Sequence, residues 1–214
     1  MKTLAKKDFL QIKDIFVANY KDAITELDYK SGYELLVAII LSAQCTDKRV
    51  NIITQNFFLK YPDIKSLSEA RLDDIKHFIK SCSFFNNKAK NLLSMATQVK
   101  EKYNNQIPNT QKELQTLSGV GEKTACVYLI ELYGANIMAV DTHVFRVSHR
   151  LGLSKDKTVE QTKIKLEKIF KTNLNILHQA FVLFGRYICK AKKPDCDKCL
   201  VVEFCQTKQG FKPV

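Results

Sequence analysis

Long apolar runs are missing from this sequence. The longest, Leu35 to Leu41, falls far short of the roughly 20 residues a membrane-spanning helix needs, so no membrane partner is expected. The N-terminus, MKTLAKKDFL, places charges where a secretory leader would need its apolar stretch. Low-complexity segments and fixed-period repeats are absent too, and only Ile137 to Val140 has a strand-like pattern, which a lone strand could not satisfy, so it reads as a linker. Arginine is scarce: of 34 basic residues only Arg49, Arg71, Arg146, Arg150 and Arg186 are arginine. These absences predict a helical, cytoplasmic protein. In such a reducing compartment, seven cysteines read as metal ligands or core residues sooner than as a disulfide framework.

What is present is length, lysine and helical periodicity. A chain of 214 residues with 45% hydrophobic content can bury a sizeable core. Its formal charge of +12 and pI near 9.3 suit a polyanion such as nucleic acid, although lysine enrichment can equally solvate a surface, and charge alone does not choose. Apolar residues recur at i, i+3, i+7 in Phe9–Ile12–Phe16, Val50–Ile53–Phe57, Leu72–Ile75–Ile79 and Val144–Val147–Leu151. Tyr33–Leu41 and Ala125–Tyr133 are apolar nearly all round, as helices enclosed by others are. Ser66-Leu67-Ser68-Glu69 and Thr110-Gln111-Lys112-Glu113 match the capping box. Breaks are predicted at Ser31-Gly32, Tyr61-Pro62-Asp63, Asn86-Asn87, Asn104 to Asn109 and Gly134 to Asn136. The expectation is an all-α chain of about ten helices.

The chemistry concentrates in Leu117 to Asp141. Gly119 and Gly121 suit a tight hairpin that needs backbone conformations other residues resist, and Lys123 follows in the first turn of a helix that Gly134 ends. A helix N-terminus opposes a structural cation but suits an amine that acts as a nucleophile. Together, turn amides and helix N-terminus make an anion site able to hold a phosphate without reading bases. Taken alone, GxG is more often an ordinary loop. Near the C-terminus, Cys189, Cys196, Cys199 and Cys205 form C-x6-C-x2-C-x5-C, which suits tetrahedral zinc or an iron–sulfur cluster without separating the two.

LSGVGEKTA followed by VDTHVFRV, with LLVAIILSAQCTD upstream and the cysteine cluster downstream, closely resembles the endonuclease III family of helix-hairpin-helix DNA glycosylases and abasic-site lyases. The resemblance spans most of the chain. It implies a two-lobed all-α fold, with residues 27–135 as a central lobe carrying the hairpin and residues 1–26 plus 136–214 as a discontinuous lobe bearing Asp141 and the cluster, so that Lys123 and Asp141 come from different lobes. It implies removal of oxidised pyrimidines from duplex DNA by a monomeric enzyme working at the nucleoid. Lys123 would be the nucleophile that forms a Schiff base, and Asp141 would stabilise the developing positive charge. Asp141 also reads as a helix N-cap.

By the same resemblance Gln44 and Phe84 would fill the gap left by an extruded nucleotide. Gly119, Val120, Gly121, Thr124 and His143 would contact the DNA backbone. The four cysteines would hold a [4Fe–4S] cluster, with zinc as the alternative, and present Lys190, Lys192 and Lys193 to phosphates. Two residues depart from the family pattern: Ser118 stands where proline is common, predicting a looser hairpin, and Glu122 where a basic residue is common, predicting weaker DNA binding. Cys126, on the enclosed helix, reads as core packing. His77, His149 and His178 lack metal-ligand spacing and read as helix-surface or core residues. Rival readings are a mismatch-specific adenine glycosylase, a non-catalytic DNA-binding protein and a zinc-binding interaction module.

Overall fold

In a computed structural model, which describes residues 4–207, the chain forms eleven α-helices and two single 3-10 turns, with no strand among the described residues. The outer ends of the sequence-based lobe assignment, residues 1–3 and 208–214, lie outside that range. The chain divides into two compact units, one made of Met1–Thr25 with Gly134–Val214, the other of Glu26–Tyr133.

The Glu26–Tyr133 unit is built round α2 (Gly32–Ser42), in which Tyr33 and every residue from Leu35 to Leu41 are buried. Packed on it is α8 (Glu122–Tyr133), which buries Ala125, Cys126, Tyr128, Leu129 and Ile130. The two enclosed apolar segments of the sequence are thus neighbours, and Cys126 is the core residue expected. Around them lie α3 (Asp47–Lys60), α4 (Ile64–Ser68), α5 (Leu72–Ile79), the long α6 (Phe85–Tyr103) and the short α7 (Gln111–Leu114).

Three local expectations need correction. The helix near Ser66 starts three residues earlier than the sequence pattern suggests: Asp63 is the cap, accepting from the Ser66 N–H at 2.7 Å, while the Ser66 hydroxyl accepts from the Asp63 N–H at 3.2 Å. Asn86-Asn87 is no break but the first turn of α6, because Phe84, at φ +57°, makes the turn instead. At Thr110 the cap forms, yet Glu113 accepts the Thr110 hydroxyl at 2.6 Å in place of the cap N–H.

The other unit packs α1 (Lys6–Tyr20), α9 (Thr142–Arg150), α10 (Val159–Phe170) and α11 (Leu174–Tyr187) around one core. Phe16 is fully buried between Phe181 and Phe184, edge-on to both at ring-centroid distances of 4.7 and 5.1 Å. Such a residue contributes about 3–5 kcal/mol relative to alanine. Ile137 to Val140 is a linker without regular structure, but a buried one: Met138, Ala139 and Val140 are in the core, with the Met138 N–H donating to Glu167 and the Ala139 carbonyl accepting from His178 Nδ1 at 2.8 Å. His149 stacks on Phe145, whereas His77 is exposed on α5, edge-on to Phe78, so one is a packed side chain and the other a helix-surface residue.

Candidate active site

The hairpin joins α7 to α8. Gly119 sits at φ +79°, and a Cβ there would approach the Asn91 Cβ to 2.9 Å, so both backbone conformation and α6 require glycine. Gly121 has no such need: its φ is not positive and a Cβ would meet nothing within 4 Å. Its smallness leaves the backbone open to an approaching group. The Val120 N–H donates to the Leu117 carbonyl at 3.1 Å and its side chain is buried, so Val120 holds the turn together.

Ser118 overturns the expectation of a looser hairpin. Its N–H, which proline would lack, donates to Gln98 Oε1 at 2.7 Å, and its hydroxyl lies 2.7 Å from that of Ser94. Both partners are on α6, so two hydrogen bonds replace the fixed φ of a proline. Lys123, second residue of α8, is exposed and has no hydrogen bond or ion pair among the described residues. Thr124 beside it is half-buried. The first N–H groups of a helix lack intrahelical partners, so an amine and open amides stand together after the turn.

Gln44 and Phe84 lie in the same unit, each just outside a helix end. Both are exposed and both occupy the left-handed region, Gln44 at φ 54° and Phe84 at φ 57° with 64% exposure. A side-chain-bearing residue pays about 1–2 kcal/mol for that conformation. The residue that holds them is one the sequence reading missed. Lys88 is buried, and its ammonium donates to the Leu41 carbonyl at 2.8 Å and the Ala43 carbonyl at 2.7 Å. Its backbone N–H donates to the Phe84 carbonyl at 3.1 Å, so a single residue ties the end of α2 to the start of α6. A signal was present: Lys88 falls on the stripe Lys88, Leu92, Met95, Ala96, Val99 that α6 buries.

In the other unit, Asp141 caps α9, its Oδ1 accepting from the N–H groups of His143 at 2.8 Å and Val144 at 2.7 Å. Those bonds fix the carboxylate and leave Oδ2 without a hydrogen bond among the described residues. His143 is half-buried, its Nδ1 3.2 Å from Arg146. Burial pushes its imidazole below the ordinary 6.5, with Arg146 and Arg186 adding to the shift and Asp141 opposing it, so the ring stays neutral.

All four cysteines of the C-terminal motif line one cavity, together with Arg150, Leu151, Phe184 and Ile188. Burial, with the nearby Cys189, Cys205 and Cys196 adding to it, pushes the Cys199 thiol up to about 11. Like charges so placed need a cationic centre among them, which is what an iron–sulfur core or a metal ion supplies. Among the described residues no group of three His, Cys, Asp or Glu side chains is placed to hold a metal ion. Arg150 and Arg146 organise the loop: Arg150 donates to the carbonyls of Lys190 at 2.7 Å and Ala191 at 3.0 Å and to Cys189 Sγ at 3.3 Å, and Arg146 to the Cys189 carbonyl at 3.0 Å. Neither arginine stood out in the sequence. Lys190, Lys192 and Lys193 are exposed on this loop.

A helical fold in which an exposed lysine follows a glycine hairpin defines a class. The chain belongs to the HhH-GPD superfamily of base excision DNA repair proteins, whose family model matches residues 37–172. Within that class its likeness is to endonuclease III. It is 45% identical to endonuclease III of Rickettsia conorii over 91% of this chain and 93% of that one, and 37% identical to that of Escherichia coli over 86% and 88%. Among solved structures, a trapped covalent endonuclease III–DNA intermediate matches with a TM-score of 0.90 at 38% identity, covering 95% of this chain and 96% of the other.

Proposed function

We propose that Lys123 and Asp141 carry the chain's base-excision chemistry, DNA glycosylase followed by abasic-site lyase, on oxidised pyrimidines in duplex DNA. The observation that carries this reading is Lys123 itself, exposed and without a partner among the described residues in the first turn of α8 directly after the hairpin. Its neutral amine attacks C1′ of the extruded nucleotide, the C1′–N bond breaks, and the base departs with its electron pair. Ring opening then gives an imine between Nζ and C1′. That iminium withdraws electrons, so the C2′ proton is lost and the bond to the 3′ phosphate breaks by β-elimination. Asp141, held by its cap bonds, offers Oδ2 to the positive charge that develops on the sugar and to the proton leaving Nζ. That a relative was trapped covalently on DNA supports the same class of intermediate.

The hairpin amides and the start of α8 hold a backbone phosphate, and Gln44 and Phe84 occupy the space the nucleotide leaves. Cys189, Cys196, Cys199 and Cys205 hold a [4Fe–4S] cluster, whose contribution is structural: it fixes the loop so that Lys190, Lys192 and Lys193 meet phosphates with little freedom left to lose. The protein works as a monomer of 24.5 kDa at the nucleoid.

Borohydride trapping on a duplex containing an oxidised pyrimidine tests the assignment. The wild type yields a covalent adduct, and Lys123→Ala yields none while keeping its helical circular dichroism. Undiminished trapping by the variant overturns the choice of nucleophile. Metal analysis of purified protein tests the cluster, with one zinc and no iron as the refuting result.

A further inference from the structure

Two thiols outside the C-terminal motif take no part in base excision. Cys45, half-buried, follows Gln44 directly, and Cys82, only 3% exposed, lies two residues before Phe84. Their sulfurs are 3.5 Å apart although 37 residues separate them in the chain. Each backbone is already tied down, the Cys45 N–H to the Ser42 carbonyl at 3.0 Å and the Cys82 N–H to the Ile79 carbonyl at 2.8 Å. The Lys88 ammonium braces the Cys45 side through the carbonyls of Leu41 and Ala43. The two thiols are therefore a preformed pair bridging the end of α2 and the loop before α6.

We propose that Cys45 and Cys82 form a reversible disulfide when the protein meets hydrogen peroxide, joining the Gln44 loop to the Phe84 loop. Closing the pair to a bond of about 2.05 Å asks for roughly 1.5 Å of approach, within the reach of two loop residues. The order of events follows from exposure. Burial pushes the Cys82 thiol up to about 12, the hydrogen bond with Cys45 adding to the effect and Lys88 opposing it, whereas Cys45 is open to solvent on one side. Cys45 as thiolate attacks the peroxide, an S–O bond forms as O–O breaks, and hydroxide leaves. Cys82 then attacks the Cys45 sulfur, S–S forms as S–O breaks, and the second hydroxide departs as water with the Cys82 proton. Two thiols are oxidised, one peroxide is reduced, and two waters result.

The effect on repair rests on the function proposed above. Drawing the loops together moves Gln44 and Phe84 away from the separation at which they flank an extruded nucleotide, so the oxidised protein excises a damaged base from duplex DNA several-fold more slowly, and dithiothreitol restores the rate.

Peptide mapping of the full chain tests the disulfide without reference to activity. After brief hydrogen peroxide treatment and digestion with trypsin under non-reducing conditions, residues 31–48 and 81–88 are expected as one species, lighter than the two peptides by two hydrogens. It disappears with dithiothreitol and is absent from both Cys82→Ala and Cys45→Ser. Separate peptides, or Cys45 found only as sulfinic acid, overturn the proposal. If the cross-link forms while excision is unchanged, the disulfide stands and the functional consequence falls; Cys82→Ala, which cannot cross-link, should lose no excision rate under the same treatment.

Discussion

Replacing Lys88 by methionine isolates the clamp between the end of α2 and the start of α6. Methionine keeps the length and most of the volume of the lysine stem, so the change removes the ammonium and little else. The Leu41 carbonyl is buried, and leaving it only the weak Cys82 S–H donor at 3.7 Å costs about 1–3 kcal/mol. The Ala43 carbonyl is only part-buried, and water replaces its lost bond at small cost. Against this, methionine spares the desolvation of a buried charge. The net expectation is a loss of about 1–3 kcal/mol, which for a chain of this size lowers Tm by about 2–12 °C. Function should suffer further. Without the clamp Gln44 relaxes from φ 54°, and regaining that conformation costs about 1–2 kcal/mol at each encounter, equivalent to roughly a 5- to 30-fold loss in excision that falls mainly on KM. Calorimetry and steady-state excision on one duplex substrate measure both. A methionine variant with wild-type Tm and wild-type kinetics refutes the clamp.

Other substitutions separate structural from chemical roles. Asp141→Asn keeps an oxygen for the amides of His143 and Val144, so stability should hold within about 0.5 kcal/mol while excision falls at least about 100-fold; Asp141→Ala should lose about 1 kcal/mol more in urea titration. Gly119→Ala forces a side chain into φ +79° and against Asn91, costing about 1–2 kcal/mol or more, and should weaken duplex binding with a salt dependence shallower by about one phosphate. Arg150→Ala frees the carbonyls of Lys190 and Ala191, and iron assays in air should show faster loss of bound metal than from the wild type.

Sequence reasoning went furthest where a local pattern decides the outcome. The all-round apolar segments became the two packed helices α2 and α8, and Gly134 ends α8 at φ +62° as expected. It slipped where two local signals competed. Asp63, directly after Tyr61-Pro62, outranks Ser66 as a cap because the proline has already ended α3, and Asn86-Asn87 yields to Phe84 because asparagine is tolerated in a first turn. It failed where partners are distant in the chain. A lysine on a helix reads as solvated, and nothing local announces that carbonyls more than 40 residues away will meet Lys88. The same holds for Arg146 and Arg150, whose acceptors lie about 40 residues downstream. Ser118 makes the point in reverse: judged alone it loosens the turn, but Ser94 and Gln98 make it a point of attachment.

Those attachments give α6 a role as a measuring rod. Phe84 stands at its N-terminus, and the glycine hairpin is bonded to it at Ser94 and Gln98. Fourteen residues at 1.5 Å each put about 21 Å of helix between Phe84 and Gln98. In the function proposed above, the length of this one helix sets the separation between the phosphate held at the hairpin and the step that Phe84 opens. Inserting a full turn into α6 would move the grip by about 5.4 Å, more than a base step, while leaving the chemistry of hairpin and wedge untouched.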